Sequence, residues 1–416
     1  MPTTTDLGAL ANCVDTDVDA ENEELISLYN LERSIKQRGV LEPSGLRASV
    51  LGPDDVLRES FPDWCQPFTA GRLLTSPHIW TQVFAEFGEI VPSWLHRWLS
   101  EGYSVRLDKD NFGNQPGINK LVPEETEFVS KAITEWLVMG CCEEVARDKV
   151  HHKAVQCNLL VAYRNGCMER VCWSGKSVNL GVDDKSFKME TLEDIMGMSR
   201  PGDKAFSLDF EKGFYQFRLA SGLSQLLYFR HAGKTYRWLV LPMGLKSAPR
   251  DFSKLIKRVL LLFRKMGIRC SFFIDDLIFL GSSEEELLHI RFLVLTTLYR
   301  LGLRVSLKKS LLNGGDIIKH LGMDLDFVSC AVWIPECKVA AMKKMCVDML
   351  THHTQGVSAR KIASLVGKLI SVKLASPLAL ILSKGLSRSI AHLTMPGVGH
   401  NATYDDGYES LIRLSK

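Results

Sequence analysis

The stretch SFFIDDLIFLG, from Ser271 to Gly281, places two adjacent aspartates inside an apolar run of aromatic and β-branched residues. Its two apolar halves each have the composition of a short strand, which predicts a tight antiparallel hairpin with Asp275 and Asp276 at its tip. Two carboxylates held this close repel each other, and burying them unpaired costs several kcal/mol. A bound divalent cation would remove that cost. The alternative is an Asp-Asp pair that only fills a turn, so a third carboxylate is needed to decide between them.

The composition is typical of a globular protein. The chain has 416 residues, of which 46% are apolar and 24% charged, and this length gives room for two or three domains. No apolar run is long enough to cross a membrane, and the N-terminus has no basic region followed by an apolar core. Eleven cysteines are scattered without CxxC spacing, as in a reducing compartment. We therefore expect a soluble, intracellular protein without a membrane partner.

Charge is distributed unevenly, although the net formal charge is only +3. Residues 1–60 hold five Lys or Arg against twelve Asp or Glu, whereas residues 301–390 hold thirteen against five. This pattern predicts that a polyanion would bind the second half, unless the charges are simply solvated. Residues 1–75 are acidic and predict a poorly ordered extension with one candidate helix, Glu23–Arg38. Residues 76–120 carry aromatic side chains at near-helical spacing and predict a packed N-terminal extension.

Start and stop signals predict two further elements. The segment 123–140 combines a proline start, apolar residues at helical spacing and a glycine stop, which indicates an amphipathic helix. Residues 158–178 alternate apolar and polar residues around Asn165-Gly166, which indicates a β-hairpin that carries Arg164 and Arg170. These arginines are either solvated surface charge or part of a flap that clamps phosphates.

The third carboxylate is Asp209, the one acid within a buried-strand pattern that ends at Phe210. A lone carboxylate in an apolar strand needs a partner. Downstream, Ser247 is predicted to cap a helix that runs to about Met266. After the Asp-Asp hairpin, Ser283 and Glu286 predict a capping box for a second helix.

The order strand, helix, hairpin, helix, strand predicts an α+β fold of the split βαβ type, with an antiparallel sheet and two helices on one face. In that topology Asp209 can meet Asp275 and Asp276. Three carboxylates at one sheet edge can bind two Mg²⁺ ions about 3.5–4 Å apart, the arrangement that serves in-line phosphoryl displacement. The residues alone therefore predict a nucleotidyl transferase.

Five segments resemble, in order, motifs A to E of reverse transcriptases: SLDFEKGFYQFRL, LVLPMGLKSAPRDF, FFIDDLIFLG, LGLRVSLKKS and KHLGMDLD. The upstream segment ERVCWSGKSVN resembles the fingers motif of that family. The resemblance covers about residues 120–400. The segments EFVSKAITEWLVMG and SARKIASLVGKLIS make it closest to the DIRS-like (tyrosine-recombinase) retrotransposon group.

The resemblance implies a right-hand polymerase with fingers, palm and a helical thumb. Residues 121–333 would form fingers and palm, residues 334–400 the thumb and residues 401–416 a tail, while residues 76–120 would pack on the fingers. The implied activity is RNA-directed DNA polymerisation, in which dNTPs extend a primer on an RNA or DNA template. Two Mg²⁺ ions would be required, and Mn²⁺ is a possible substitute.

The resemblance also implies roles for individual residues. Asp209, Asp275 and Asp276 would be the catalytic carboxylates and the metal ligands. Lys309 would donate a proton to pyrophosphate, with Lys308 as the neighbouring alternative. Phe214 would be the steric gate that excludes a 2′-hydroxyl. The other residues implied to contact the nucleotide are Arg170, Arg164, Phe210, Tyr215, Met243 and Gly244, and those implied to grip the primer are Leu321, Gly322 and Met323.

Two departures from the family pattern leave alternatives open. Ser174 stands where the fingers motif usually has an aspartate, and Lys176 where an arginine is common. No ribonuclease H pattern follows, so the chain is either a fragment of a longer polyprotein or lacks that activity. A catalytically silent remnant that binds nucleic acid is one alternative function. An RNA-copying RNA polymerase is another, although those enzymes usually place an acid where Phe214 stands.

Overall fold

A computed structural model describes residues 60–74, 77–108, 112, 120–164, 166–183, 185–351, 357–390 and 411–412. The predicted helix Glu23–Arg38 lies outside these residues. The helices in chain order are α1 Pro62–Cys65, α2 Pro77–Glu86, α3 Ser93–Glu101, α4 Pro123–Met139, α5 Lys176–Asn179, α6 Leu192–Met198, α7 Ser221–Ser224, α8 Ala248–Lys265, α9 Glu284–Arg300, α10 Glu336–Thr351, α11 Ala359–Ser371 and α12 Pro377–Ile390.

The strands make an α+β architecture, as the sequence predicts. In chain order they are β1 Cys142–Glu144, β2 Val155–Cys157, β3 Leu159–Arg164, β4 Cys167–Trp173, β5 Lys204–Asp209, β6 Leu227–His231, β7 Lys234–Trp238, β8 Arg269–Phe273, β9 Asp276–Gly281, β10 Leu311–Gly315, β11 Ile317–His320, β12 Met323–Asp326, β13 Ala331–Trp333, β14 Val357–Ser358 and β15 Leu411–Ile412. The chain forms two compact units, one of residues 1–190 and 206–313 and the other of residues 191–205 and 314–416.

The first unit is built around two four-stranded sheets, with the strand orders β1-β7-β6-β2 and β10-β5-β9-β8. The amphipathic helix α8 packs on β8, and α9 packs on β9. Helix α8 turns a row of apolar side chains, including Phe252, Ile256 and Leu260, into the core. It keeps Lys254 and Lys257 at the surface, so the 3.6-residue period of the sequence explains which face is buried.

Two elements confirm the start and stop signals. Helix α4 begins at Pro123 and ends at Met139, and Gly140 adopts a left-handed conformation (φ 75°) that terminates it. Strands β3 and β4 form the predicted antiparallel hairpin, with a register shift between Ala162 and Tyr163.

The two predicted helix caps differ in outcome. Ser283 accepts a hydrogen bond from the Glu286 amide, so it caps α9 as predicted. Ser247 precedes α8 but makes no side-chain cap. Its hydroxyl instead lies 2.8 Å from the Tyr103 hydroxyl. The Tyr103 hydroxyl donates its proton to the Asp251 carboxylate (2.6 Å). The prediction for Ser247 was wrong because a residue 144 positions away takes the hydroxyl.

Residues 60–74 differ from the expected poorly ordered extension. Phe61, Trp64, Phe68 and Leu73 are buried in the main core of the first unit. The remainder of the predicted extension lies outside the described residues. These apolar side chains therefore make residues 60–74 part of the folded core.

Among the described residues, the second unit combines a small antiparallel sheet with four helices, α6, α10, α11 and α12. Strands β11, β12 and β13 form an antiparallel sheet in that order. Helices α11 and α12 pack against each other, and a separate apolar cluster includes Met349, Ile362, Leu365 and Ile390. Among the described residues, none of the helices has both the length and the apolar character needed to span a bilayer.

Candidate active site

The Asp-Asp hairpin is formed by β8 and β9, which pair up to Phe273 and Asp276. Its turn consists of Ile274 and Asp275, so Asp276 opens β9 instead of sharing the tip as the sequence predicts. Ile274 has φ 56°, a left-handed conformation that a β-branched residue rarely adopts. Backbone strain of this kind persists only where the surrounding structure enforces it, and it is often found at functional sites.

Strand β5 brings Asp209 to the same place, because β5 lies next to β9 in the sheet. The Phe210 amide donates to the Asp275 carbonyl (3.0 Å), which fixes the end of β5 against the hairpin turn. The Asp209 amide donates to the Ser310 hydroxyl (3.0 Å). The three candidate carboxylates therefore come from two segments that are joined by backbone hydrogen bonds.

The electrostatics of the three carboxylates show that they interact. Burial and the charges of Asp275 and Asp209 raise the pKa of Asp276 to about 6, against the opposing effect of Lys309. Burial also raises the pKa of Asp209; the Lys309 charge lowers it and the Asp275 charge raises it. Nearby like charges disfavour ionisation, so this cluster holds more negative charge than the protein alone balances.

Lys309 is the cation that approaches this cluster. Its Nζ lies 3.5 Å from Asp209 Oδ1, although the lysine side chain is 70% exposed. Asp209 Oδ1 is itself buried and accepts no hydrogen bond of normal geometry from the described residues. An exposed, flexible ammonium is a replaceable counter-ion.

A divalent cation fits the chemistry of these residues in part. A buried carboxylate oxygen without a hydrogen bond, beside two further carboxylates, is an all-oxygen donor set of the kind that Mg²⁺ prefers. Within the described residues, however, no group of three or more His, Cys, Asp or Glu side chains is already arranged to hold a metal ion. The carboxylates are close enough to interact, but cation binding would require their side chains, and that of Lys309, to adjust.

An aromatic cluster stands beside the carboxylates. Phe214, half-buried, packs edge-on against Phe252 at 5.4 Å between ring centroids. Phe210 packs against the same ring (5.7 Å) and is fully buried. Tyr215 is also buried and stacks on Trp238 (6.0 Å). Of the three aromatic residues predicted to contact a nucleotide, Phe214 therefore has the most accessible ring.

The loop that precedes α8 contains Met243 and Gly244. Met243 is exposed. Gly244 has φ 118°, and an added Cβ would lie 2.1 Å from the Trp173 carbonyl oxygen, so only glycine fits. Asn179, which the sequence analysis missed, bridges this loop through its side chain. Its Nδ2 donates to the Gly244 carbonyl (2.9 Å), and its Oδ1 accepts from the Lys246 backbone amide (2.8 Å). Its place at the end of the fingers-like segment is the only sequence signal for this contact.

The β3–β4 hairpin carries Arg164 and Arg170, and both guanidinium groups pair with Glu169. The distances to Glu169 Oε1 are 2.9 Å from Arg164 and 3.4 Å from Arg170. Both arginines are more than half exposed. The hairpin therefore presents two guanidinium groups to solvent. Both pair with the same carboxylate, that of Glu169, which a phosphate could displace.

The residues predicted to grip a primer lie in the second unit. Leu321 and Gly322 form the turn between β11 and β12, with φ 48° and 72°. Met323 opens β12 and is fully buried. The predicted hairpin is therefore present, and Leu321 and Gly322 form its turn.

Arg304 is a buried residue near the site that sequence reasoning missed. Its side chain is 4% exposed, and its Nε donates to Glu211 Oε2 at 2.6 Å. Its Nη atoms donate to backbone carbonyls of residues 63–67, including that of Trp64 at 2.9 Å. Glu211 follows Asp209 by two residues, so this guanidinium ties the N-terminal core segment to the chain beside the carboxylates.

The sequence of this chain is similar to those of known proteins. The family model for "Reverse transcriptase (RNA-dependent DNA polymerase)" matches residues 180–325. The enzymatic polyprotein of Cauliflower mosaic virus (strain Strasbourg) is 29% identical over 239 residues, which are 56% of this chain and 33% of the polyprotein. That of Figwort mosaic virus (strain DxS) is 26% identical over 207 residues, covering 49% and 30%. The chain spans about a third of the length of these curated relatives.

Solved structures give the fold. The foamy viral protease-reverse transcriptase dRH in complex with double-stranded DNA aligns with a TM-score of 0.53 and 18% identity, over 70% of this chain and 46% of that chain. The foamy viral protease-reverse transcriptase in complex with an RNA/DNA hybrid aligns with a TM-score of 0.52 at the same identity, over 70% and 36%. The architecture is thus the α+β fold of right-hand polymerases, and residues 180–325 of this chain match the reverse transcriptase family model.

Proposed function

We propose that this chain is an RNA-directed DNA polymerase that extends a primer with dNTPs by two-metal phosphoryl transfer. The observation that carries the proposal is the meeting of Asp209 with Asp275 and Asp276, whose mutual charge and burial raise the pKa of Asp276 to about 6. Such a cluster is costly unless cations neutralise it. The match of residues 180–325 to the reverse transcriptase family supports the same activity.

The three aspartates would hold Mg²⁺, and Mn²⁺ as a substitute. Bound there, the ions would activate the attacking primer hydroxyl and neutralise charge on the triphosphate. Lys309, whose ammonium lies 3.5 Å from Asp209 Oδ1, would give a proton to the departing pyrophosphate. Lys308 is its neighbour and the alternative donor.

The pocket residues would select and orient the nucleotide. Phe214, braced edge-on by Phe252, would exclude a ribose 2′-hydroxyl and so favour dNTPs. Gly244 lets its loop pack against the Trp173 carbonyl and would in this way hold the loop beside the nucleotide. Arg170, and less directly Arg164, would exchange Glu169 for the triphosphate. Met243, Phe210 and Tyr215 would shape the pocket walls.

The template and primer would contact several regions. Residues 121–333 would act as fingers and palm, and residues 334–400 as a thumb whose Lys and Arg bind the phosphate backbone. Leu321, Gly322 and Met323 would grip the primer end through their hairpin. The foamy viral relatives solved with double-stranded DNA and with an RNA/DNA hybrid support such a partner. A DIRS-like retrotransposon origin rests on the sequence resemblance, and continuation of the reading frame into a recombinase would test it.

Primer extension tests the activity directly. A labelled DNA primer is annealed to an RNA template and to a DNA template, and dNTPs are added with Mg²⁺ or with EDTA. We expect extension with Mg²⁺ on both templates and none with EDTA. Asp275→Asn should reduce the rate by at least about a thousandfold, because transition-state charge stabilisation is lost. The matched control is Asp148→Asn, which removes an exposed carboxylate and should extend normally.

A silent remnant that binds nucleic acid is the second candidate function. Two observations favour it: the ion pair of Lys309 with Asp209, and the absence of a ready-made metal cluster among the described residues. In that case the protein would bind duplexes with a strong dependence on salt. It would give no extension product with either Mg²⁺ or Mn²⁺, and Asp275→Asn would bind as the wild type does.

A further inference from the structure

A cavity outside the candidate active site lies in the first unit, between the end of α3, the segment 218–225 and the end of β7. It has a volume of about 380 Å³, within the range of pockets that bind small molecules. It shares no lining residue with the candidate active site. Its lining includes two arginines, Arg218 and Arg237, which makes it a candidate site for an anion.

The backbone of this cavity is held firmly. The Arg218 carbonyl accepts from the Tyr103 amide (2.7 Å), and the Leu219 amide donates to the Leu239 carbonyl (2.9 Å). Arg218 also forms an antiparallel bridge with Val240. The cavity is therefore already formed without a ligand, which lowers the entropic cost of binding one.

Several hydrogen-bond donors on the lining have no acceptor among the described residues. Arg218 has neither an ion pair nor a side-chain hydrogen bond to any residue that the structure describes. Arg237 pairs with Glu143 through Nη2, but its Nε is buried and has no partner among the described residues. The side chains of Ser221 and Gln225 add donors on the same lining. The guanidinium donors of Arg218 are therefore available, and an anionic oxygen would accept from them.

The lining also contains hydrogen-bond acceptors. The Ser100 hydroxyl donates to the His96 carbonyl (2.7 Å) and the Ser224 hydroxyl to the Trp238 carbonyl (2.6 Å), so each presents its oxygen as an acceptor. Glu101 adds a carboxylate. A ligand that matches this lining carries both negative charge and hydroxyl groups.

We propose that this cavity binds a sugar phosphate of the nucleotide class, as a site separate from the polymerase centre. Arg218 binds the phosphate, the Arg237 guanidinium adds positive charge on the same lining, and Glu101 with the serine oxygens accepts from the sugar hydroxyls. A bare phosphate would leave the acceptors unused, and an unphosphorylated nucleoside would leave the guanidinium groups unused. The site does not require the polymerase reaction, since none of its groups belongs to the carboxylate cluster.

Calorimetric titration of the full chain in EDTA tests the proposal, because EDTA removes metal-dependent binding at the carboxylates. The probes are ribose 5-phosphate, AMP, adenosine and inorganic phosphate. We expect ribose 5-phosphate and AMP to bind with one-to-one stoichiometry, and more tightly than adenosine or inorganic phosphate. Arg218→Ala should weaken AMP at least about tenfold, since a charge-assisted hydrogen bond is lost. Gln225→Leu should weaken it less.

The matched control is Arg230→Ala, which removes an exposed arginine on β6 outside the cavity and should leave the affinity within about twofold. No saturable AMP binding, equal binding by Arg218→Ala, or inorganic phosphate binding as tightly as ribose 5-phosphate would each overturn the proposal. A competition arm identifies the source of the ligand. Displacement of AMP by a 5′-phosphorylated oligonucleotide, but not by its 5′-hydroxyl form, indicates a strand end, and displacement by neither indicates a free nucleotide.

Discussion

Asp276 combines two unfavourable features, burial and the proximity of two other carboxylates. Together they raise the pKa of this side chain to about 6. Asp275 and Asp209 contribute to the same repulsion, and Lys309 opposes it. Charge repulsion kept in a folded protein lowers its stability, so its presence indicates a function that requires it.

Asp276→Asn should therefore stabilise the protein when no divalent cation is present. We expect a gain of about 1 kcal/mol at pH 7.5 in EDTA, a Tm rise of about 2–4 °C, after allowing for partial exposure of the group. Mg²⁺ should raise the Tm of the wild type but have a smaller effect on the variant. Differential scanning calorimetry measures both. A lower Tm for Asp276→Asn than for the control Asp148→Asn would contradict the interpretation.

Phe214 gives a second prediction at this scale. Its ring is held edge-on by Phe252, so a smaller side chain would open space without moving the carboxylates. Phe214→Val should raise ribonucleotide incorporation relative to deoxyribonucleotide incorporation by about tenfold or more. Single-nucleotide kinetics with dNTP and rNTP pairs measure the ratio. Phe187→Val removes an exposed ring and serves as the control; the same selectivity in both variants would rule out a gate at Phe214.

At the scale of elements, the β11–β12 hairpin of the second unit contains a buried histidine. The Nε2 atom of His320 has no hydrogen-bond partner among the described residues, and burial lowers its pKa from 6.5 to about 4. The unfolded chain therefore binds the proton more readily than the folded one. Stability from this group is fully present above pH 6.5 and is lost as the pH falls towards 4.

This difference predicts a loss of about 2 kcal/mol in unfolding free energy between pH 7 and pH 5 that depends on His320. Urea unfolding of the wild type and of His320→Gln at the two pH values measures it. The variant should lose less stability on acidification than the wild type does. His289→Gln, at an exposed position on α9, should behave like the wild type. Identical pH dependence in all three proteins would show that His320 is not protonated on unfolding.

Local sequence signals predicted some elements well and others poorly, for physical reasons. Helix α4 and the β3–β4 hairpin follow from proline, glycine and Asn-Gly signals that act within a few residues. Ser247 failed as a cap because Tyr103 takes its hydroxyl. Ile274 has a strand-like side chain, yet it adopts the left-handed turn that joins β8 and β9. Contacts over long sequence separations decided both positions.

At the scale of the molecule, the segment 61–68 places Phe61, Trp64 and Phe68 in the core although the sequence groups it with the acidic extension. Arg304, some 240 residues away in sequence, binds its backbone carbonyls and the Glu211 carboxylate. The sequence could suggest three carboxylates at one sheet edge, because each lies in a recognisable strand pattern. It could not suggest this anchor, since an isolated arginine next to Val305 has no local signature.

Arg304→Met should destabilise the protein by about 3–5 kcal/mol, because it leaves the Glu211 charge and several backbone carbonyls without their donor. Guanidinium unfolding measures the change. Arg258→Met, at an exposed position on α8, should change stability by less than about 0.5 kcal/mol. Equal stability of the two variants would mean that residues 63–67 are not anchored through Arg304.

Anomalous diffraction from crystals grown with primer–template, dNTP and Mn²⁺ tests most directly whether the three aspartates form a two-metal centre. The proposed function predicts two Mn²⁺ peaks about 3.5–4 Å apart, in contact with the carboxylates of Asp209 and Asp275, and Lys309 displaced from Asp209. Crystals of Asp275→Asn should lose at least one peak. Wild-type crystals in which Lys309 stays paired with Asp209 and no Mn²⁺ peak lies at the carboxylates would contradict the account.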